Sequence, residues 1–346
     1  MRARLVDTST IEECIDKLRR FLEERLREGE PLEPRQSSLR SNLTVKTYLK
    51  YARVFLRNVL VSYDPPLDEE AAKEFLRILS KRRRPRTVMV YYSAIKNLYY
   101  ANGWSFNLRW TAFIDPTEID ESPEEPYLTA EEMRSVLEKV VEEAERSRNY
   151  RDAMIIILLA LGLRPRELSL LKVGDLKPLG VGWLIEYHTI KRGGKRKVQI
   201  PNGYSKVVNR WLRMLERNLS PELREWSLEK YNRPLPPELP LFPRYFTPLS
   251  NRLQNVKSIQ EVEPIGYETV YATVKKYSRV LGLDESQTGK ITPYAFRRGV
   301  VTTLLEQGVP EATVDRYMGW KTPMARRYYK KSRDQIAREI LQYLSL

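Results

Sequence analysis

Residues 161–168 read LGLRPREL, and the ten residues before them include the apolar run AMIIILLA at 153–160. The run is apolar nearly all round, so it predicts a helix buried in a core rather than one lying on a surface. Gly162 stops it, and Pro165 sits where the first residue of a new helix belongs. Arg164 is thereby left at the mouth of a helix N-terminus. Its guanidinium and the free backbone N–H groups there are placed to point at one anion. Glu167, three residues on, is spaced to buttress that arginine or to cap the helix. An ordinary surface arginine at a helix junction is the plainer alternative.

Two further clusters follow downstream. In TPYAFRRG (292–299), Thr292 is a good N-cap and Pro293 a good first helical residue. Phe296, Val300, Thr303 and Leu304 are spaced to face a core, while Tyr294 and Arg297, at i and i+3, share another face and can reach one phosphate. Arg298, at i+4 from Tyr294, is the weaker candidate. In YMGWKTPMARRYYKKS (317–332), Gly319 ends a helix, Trp320 follows, and Tyr328 and Tyr329 stand among cations. A phenol is a poor nucleophile at its usual pKa near 10, and surrounding cations favour the phenolate.

Between these clusters, Trp183–Ile190 is rich in β-branched and aromatic residues, Gly193-Gly194 makes a tight turn, and Lys197–Ile200 returns, which predicts a hairpin. Thr129 and Glu132 form a capping box that opens a helix over 130–147, and others are expected at 204–219, 267–281, 293–307 and 310–318. Residues 220–264 are Pro-rich and irregular. Upstream, residues 1–30 read as a peripheral helix started by Thr10 and Glu13, with Ile11, Ile15, Leu18, Leu22 and Leu26 in a stripe and Cys14 a small core residue. Residues 43–114 give three helical stripes: Tyr48, Tyr51, Phe55 and Val59; Ala71, Phe75, Ile78 and Leu79; Val90, Ala94, Leu98 and Ala101. Between the last two lies a basic run containing Lys81, Arg82, Arg83, Arg84 and Arg86. The segment 115–126 is acidic and carries three prolines, the signature of a linker.

Composition bounds the function. The chain has 346 residues and 60 Lys+Arg against 45 Asp+Glu, a formal charge of +15. Such a balance points to a polyanionic partner, nucleic acid first. One cysteine excludes an internal disulfide framework and a Cys-based zinc site, and one histidine, His188, excludes most His-dependent metal and triad chemistry. His188 is expected to be structural or solvent-facing. The longest apolar run is too short to cross a bilayer, which takes about 20 residues. No secretory signal is visible, so a cytoplasmic, nucleoid-associated protein is expected.

In this order and spacing the three clusters resemble the catalytic domain of the tyrosine recombinases, the integrase family of the phage lambda integrase, Cre and Xer type. That family carries an arginine in a GLR-x-x-E segment, a lysine on a β-hairpin, an HxxR motif, a G-[H/W] pair and a nucleophilic tyrosine. The resemblance assigns Arg164 with Glu167 to the first element and Arg297 to the third. Trp320 lies 23 positions after Arg297, and Tyr329 ten after Gly319, which selects Tyr329 over Tyr328. Lys191 falls where the catalytic lysine usually lies, with Lys195 just beyond the turn as runner-up. Tyr294 stands where the family has histidine. That departure is common in mobile-element integrases of archaea, and the scarcity of Gln and Cys fits a thermophilic source.

The resemblance covers about five-sixths of the chain. It implies a mainly α fold with a small antiparallel β-sheet: an N-terminal helical extension at 1–42, an all-helical core-binding domain at 43–114, the linker, an α+β catalytic domain at 127–331, and a C-terminal helix at 332–346 exchanged between protomers. It further implies that Tyr329 attacks a phosphodiester of double-stranded DNA to form a 3′-phosphotyrosyl ester. Arg164 and Arg297 would hold the non-bridging oxygens, Lys191 would donate a proton to the leaving oxygen, and Tyr294 and Trp320 would hydrogen-bond the phosphate. No cofactor, metal or ATP is needed. Lys81, Arg82, Arg83, Arg84, Arg86, Arg192 and Lys195 would contact DNA. The partner would be a DNA attachment site, bound by a homo-tetramer that is a monomer when free. Type IB topoisomerases use the same chemistry, and a DNA-binding regulator that has lost catalysis is a third reading. The 43–114 domain and the tail helix favour the recombinase.

Overall fold

The computed structural model describes residues 8–28, 42–115, 127–189, 194–244, 252–280, 291–320 and 323–325. These form a mainly helical protein with one small antiparallel sheet, the class expected. The chain divides into two units, Met1–Glu124 and Glu125–Leu346.

The first unit packs α1 (Thr8–Glu28), α2 (Asn42–Val59), α3 (Glu69–Ser80) and α4 (Pro85–Ala101) around one core. Helix α1 starts at Thr8, so Thr10 lies inside the first turn and does not cap it. Its expected apolar stripe packs on neighbouring helices. Ile15, Leu18 and Leu22 are fully buried among side chains of α2 and α4, and Cys14 is buried with them. In α3 the inward face is Ala71, Ala72 and Leu76, with Phe75 and Leu79 packed beside it. Ile78 lies about 200° round the helix from Leu76, and it points out, 48% exposed. Helix α4 is buried on several sides, through Val88, Tyr91, Tyr92, Ala94, Ile95, Leu98 and Tyr99. The basic run before it forms an exposed turn: Lys81, Arg82, Arg83 and Arg84 all face solvent, and so does Arg86 in the first turn of α4. Arg84 is extended and Pro85 opens the helix, the place where a missing N–H costs nothing.

The second unit is built on α6 (Tyr150–Ala160), whose residues from Asp152 to Leu159 are all buried. Helix α5 (Ala130–Ser147) packs beside it and begins with the expected reciprocal Thr129–Glu132 capping box. Gly162, at φ +80°, breaks α6, and the single turn α7 (Pro165–Ser169) follows. The sheet has three strands in the order β1 (Leu176–Leu179), β2 (Gly182–His188) and β3 (Lys195–Ile200). The sequence carries no signal for strand β1, because Leu-Lys-Pro-Leu has no clear alternation. Trp183 pairs with Ile200, Ile185 with Val198 and Tyr187 with Arg196. The hairpin turn at 190–193 lies outside the described residues.

Helices α8 (Ser205–Asn218) and α9 (Pro221–Tyr231) come next; α9 falls in the stretch the sequence left unassigned. The irregular chain after α9 is held by Trp211 of α8, which donates to Leu241 O at 3.0 Å and stacks on Phe242. Helices α10 (Tyr267–Val280), α11 (Pro293–Glu306) and α12 (Glu311–Met318) complete the described unit. Thr292 occupies the N-cap position of α11, but its side chain makes no capping bond. The inward face of α11 is Ala295, Phe296, Val300 and Val301, with Thr302 rather than Thr303 fully buried. Gly299 lies against the backbone of Leu128, so close that no Cβ fits between them.

Candidate active site

The site forms where three chain ends meet: the turn 161–164 after α6, the inner face of β3, and the C-terminal end of α12. Gly162 makes this meeting possible. Its positive φ suits glycine, and a Cβ there would press on Sδ and Cε of Met318 at 3.2 and 3.1 Å.

Arg164 and Glu167 stand as the spacing predicts. Arg164 Nη1 donates to Glu167 Oε1 at 2.6 Å, and the Arg164 backbone N–H donates to Oε2 at 3.3 Å. Glu167 therefore both buttresses the arginine and caps the turn. Its side chain is 1% exposed, whereas that of Arg164 is 19% exposed.

Arg297 reaches the same turn from 135 residues away. Its side chain is almost wholly buried. Nη1 donates to Gly162 O and Nη2 to Met318 O, the latter at 3.0 Å. The guanidinium carbon lies 5.0 Å from the centroid of the Trp320 ring, a cation–π contact of the kind guanidinium favours. Trp320 is tied back by its backbone N–H to Asp315 O, 2.8 Å. Asp315 Oδ1 also accepts from the N–H groups of Met324 and Ala325, at 3.0 and 2.8 Å. Thus Arg164, Arg297, Trp320 and Glu167 are brought together in one place.

Tyr294, in the first turn of α11, is 42% exposed, in contrast to buried Arg297 on the same helix. Burial holds the Tyr271 phenol above its ordinary range, with the hydroxyls of Tyr294 and Tyr267 adding to the rise. Lys195 opens β3, mostly exposed, and sits 3.8 Å from Glu186 Oε1. Glu186 also binds Lys177 at 2.6 Å and Lys197 at 3.4 Å. The hydrogen bond from Lys177 leads in holding the Glu186 carboxyl down at about 2. His188, exposed at the end of β2, borders a hollow of about 180 Å³ with Asp175, Lys177 and Lys195. Lys191, Arg192, Tyr329 and the tail helix lie outside the described residues.

One residue of the cluster went unrecognised in the sequence. Arg196 is 3% exposed, and its guanidinium makes a full set of bonds. Nε donates to Tyr317 O at 2.7 Å, Nη1 to Gly162 O at 3.1 Å and to the Tyr187 hydroxyl at 3.0 Å, and Nη2 to Leu161 O at 3.4 Å. The Tyr317 hydroxyl donates to the same Leu161 O at 3.0 Å. A signal was present: Arg196 alternates with Val198 and Ile200, so period two puts it on the buried face.

Tyr187 connects the two ends of the network, since its hydroxyl lies 3.3 Å from Glu167 Oε2. Burial pushes its phenol up to about 12, with the Arg196 charge pulling against the rise and the Glu167 charge adding to it. A raised pKa means stability that is fully present below pH ~10 and is lost as the pH climbs toward the folded value. At 1.36 kcal/mol per unit, the loss from this group is at most roughly 2–3 kcal/mol. Tyr187→Phe should be less stable than the parent near neutrality by about 1 kcal/mol, for want of a hydrogen bond. Denaturant melts from pH 9 to 12 should show that gap closing at about pH 11 and then reversing. A gap constant across the range would contradict this assignment.

The phage integrase family model matches residues 126–335. The tyrosine recombinase XerA of Pyrococcus furiosus is 25% identical over 288 residues, 81% of this chain and 80% of that protein. Among solved structures, the XerH site-specific recombinase bound to palindromic difH substrate, a post-cleavage complex, has a TM-score of 0.65 at 16% identity and covers 98% of each chain. The Tn1549 transposon integrase in complex with transposon right-end DNA has a TM-score of 0.58 at 18% identity, over 95% of this chain and 99% of that one. With the family model spanning more than half of its length and the recombinase fold nearly all of it, the chain belongs to the phage integrase family of tyrosine recombinases, enzymes that transfer DNA strands.

Proposed function

We propose that this protein is a site-specific recombinase that cuts and rejoins duplex DNA through a 3′-phosphotyrosyl intermediate. The observation that carries the reading is the convergence of Arg164 and Arg297 on the 161–164 turn, Arg297 by way of Gly162 O. Two guanidinium groups so placed suit the two non-bridging oxygens of one phosphodiester, and they offer charge-assisted hydrogen bonds where negative charge grows.

In the proposed step the Tyr329 phenolate, its proton given up to solvent, attacks phosphorus and the P–O5′ bond breaks. The departing 5′-oxygen takes a proton from Lys191, with Lys195 the alternative donor. Arg164 and Arg297 stabilise the pentavalent transition state, and Tyr294 and Trp320 hydrogen-bond the phosphate. The ester conserves the bond energy, so rejoining by a 5′-hydroxyl needs no cofactor, ATP or metal. The exposed cations Lys81, Arg82, Arg83, Arg84 and Arg86, together with Arg192, contact phosphates of the attachment site. Four protomers assemble on two sites, the segment after Tyr329 docking into a neighbour. Residues 1–42, 43–114, 115–126, 127–331 and 332–346 then serve as extension, core-binding domain, linker, catalytic domain and exchanged tail.

The test is covalent capture. Protein mixed with a randomised duplex pool should yield an adduct that survives denaturant, is indifferent to chelators, and carries protein on the 3′ end of the cut strand. The enriched duplex defines the site. A supercoiled plasmid lacking that site should stay supercoiled. Rapid relaxation of it would favour the topoisomerase, and tight binding with no adduct would favour the lapsed regulator.

A further inference from the structure

We propose that Arg196 is a positioning residue for this chemistry, holding Arg297 and Arg164 in register on one phosphate; the proposal rests on the strand-cutting reading above.

Arg196 and Arg297 bridge the same two chain ends. Both donate to Gly162 O, and at the end of α12 Arg196 takes Tyr317 O while Arg297 takes the next carbonyl, Met318 O. The guanidinium of Arg196 also lies over the Tyr317 ring, 5.2 Å from its centroid, and its Cδ is 3.6 Å from where a Cβ on Gly319 would stand. The acceptors that aim Arg297 are therefore themselves held by Arg196. On the other side, Arg196 donates to the Tyr187 hydroxyl, Tyr187 lies 3.3 Å from Glu167, and Glu167 holds Arg164. Arg196 is thus linked by hydrogen bonds toward both arginines.

Burial of this charge argues for a use. A strand position alternating with Val198 and Ile200 ordinarily takes an apolar side chain, and burying a charge there carries a desolvation cost that its bonds must offset. A planar fork with fixed donor directions is what guanidinium offers and ammonium does not. Every N–H of Arg196 is taken by a protein acceptor, so its effect on a phosphate has to pass through the groups it orients.

The experiment uses the full chain, with Arg196→Lys and Arg196→Gln, on the duplex enriched by covalent capture. Each variant is offered that duplex with either the natural phosphodiester or a methylphosphonate at the cut position. On the phosphodiester, single-turnover cleavage should fall about 100-fold, the cost of misplacing reacting groups by an ångström, while DNA binding is little changed. The methylphosphonate lacks the charge on one non-bridging oxygen, so arginine placement matters less and the defect should shrink to about tenfold or below. Equal loss on both substrates marks a merely structural role and overturns the proposal, as does wild-type cleavage by either variant.

A second readout needs no catalysis. Trp320 emission, taken as the wild-type spectrum minus that of Trp320→Phe, should shift in both Arg196 variants because Arg297 no longer sits over the ring. If the wild type forms no adduct with any duplex, the functional reading fails by itself. Unchanged Trp320 emission would then sink the positioning role separately.

Discussion

Tyr329→Phe is expected to abolish the covalent protein–DNA adduct and to leave DNA affinity and melting temperature unchanged. The substitution deletes one oxygen, the atom that would bond to phosphorus, and nothing else. Loss of a nucleophile costs on the order of 10⁴-fold or more in rate, so residual adduct should fall below detection. Tyr328→Phe is the internal control. It lies next to the proposed nucleophile in a segment with the same cations, Arg326, Arg327, Lys330 and Lys331, and should retain the adduct. The structure supplies a reason for favouring a fixed register here. Asp315 holds the N–H groups of Met324 and Ala325, so the chain leading to the two tyrosines starts from a fixed point four residues before Tyr329. A denaturing gel decides between them. An adduct made by Tyr329→Phe and lost in Tyr328→Phe would exchange the two roles.

The helical part of the fold is legible because its signals are local. The Thr129–Glu132 capping box and the unbroken apolar run of α6 each refer to a dozen residues or fewer, and both elements form where those signals lie. Errors arise where the deciding partner is distant. The stripe of helix α1 foretells a packed face, and Ile15, Leu18 and Leu22 are fully buried, but it cannot say which neighbours cover it. Ile78 fits a run of apolar residues but not the 3.6-residue period that Ala72 and Leu76 set. Helix α9 hides in a Pro-rich stretch because Pro221 and Ser220 are start signals there rather than breakers; Ser220 accepts from Leu223 N.

In the site, the pair Arg164 and Glu167 is legible for the same reason: three residues apart, they meet within one turn. That Arg297 shares their turn follows only from tertiary packing, and resemblance to a family was needed to connect them. Arg196 shows the opposite failure. Its neighbours Lys195 and Lys197 are exposed, and a basic tripeptide reads as a solvated or DNA-facing run unless the strand period is applied residue by residue. Tyr294 and Arg297 share a face of α11 at i and i+3, although one is exposed and the other buried. A helix face spans enough angle to hold both states.

Arg297→Lys should be the most damaging change among the described residues that keeps the charge. The guanidinium spans two acceptors on different chain segments, Gly162 O and Met318 O, while its flat face lies over Trp320. An ammonium is a compact point charge with a different reach. It can satisfy one carbonyl and leave the other to find a new donor, and it cannot present two parallel N–H bonds to a phosphate. If Arg297 stabilises the transition state, cleavage of the selected duplex should fall by about 10²–10³-fold, the equivalent of roughly 3–4 kcal/mol, as on removing one preorganised donor of an oxyanion site. DNA affinity should change little, because most binding comes from other phosphate contacts. The melting temperature should drop modestly, because Gly162 O retains its bond from Arg196. Single-turnover cleavage, gel shift and thermal unfolding on one preparation separate these effects. Should Arg297→Lys cut at the wild-type rate, this arginine is structural alone, and the transition-state charge is borne by Arg164 and other groups.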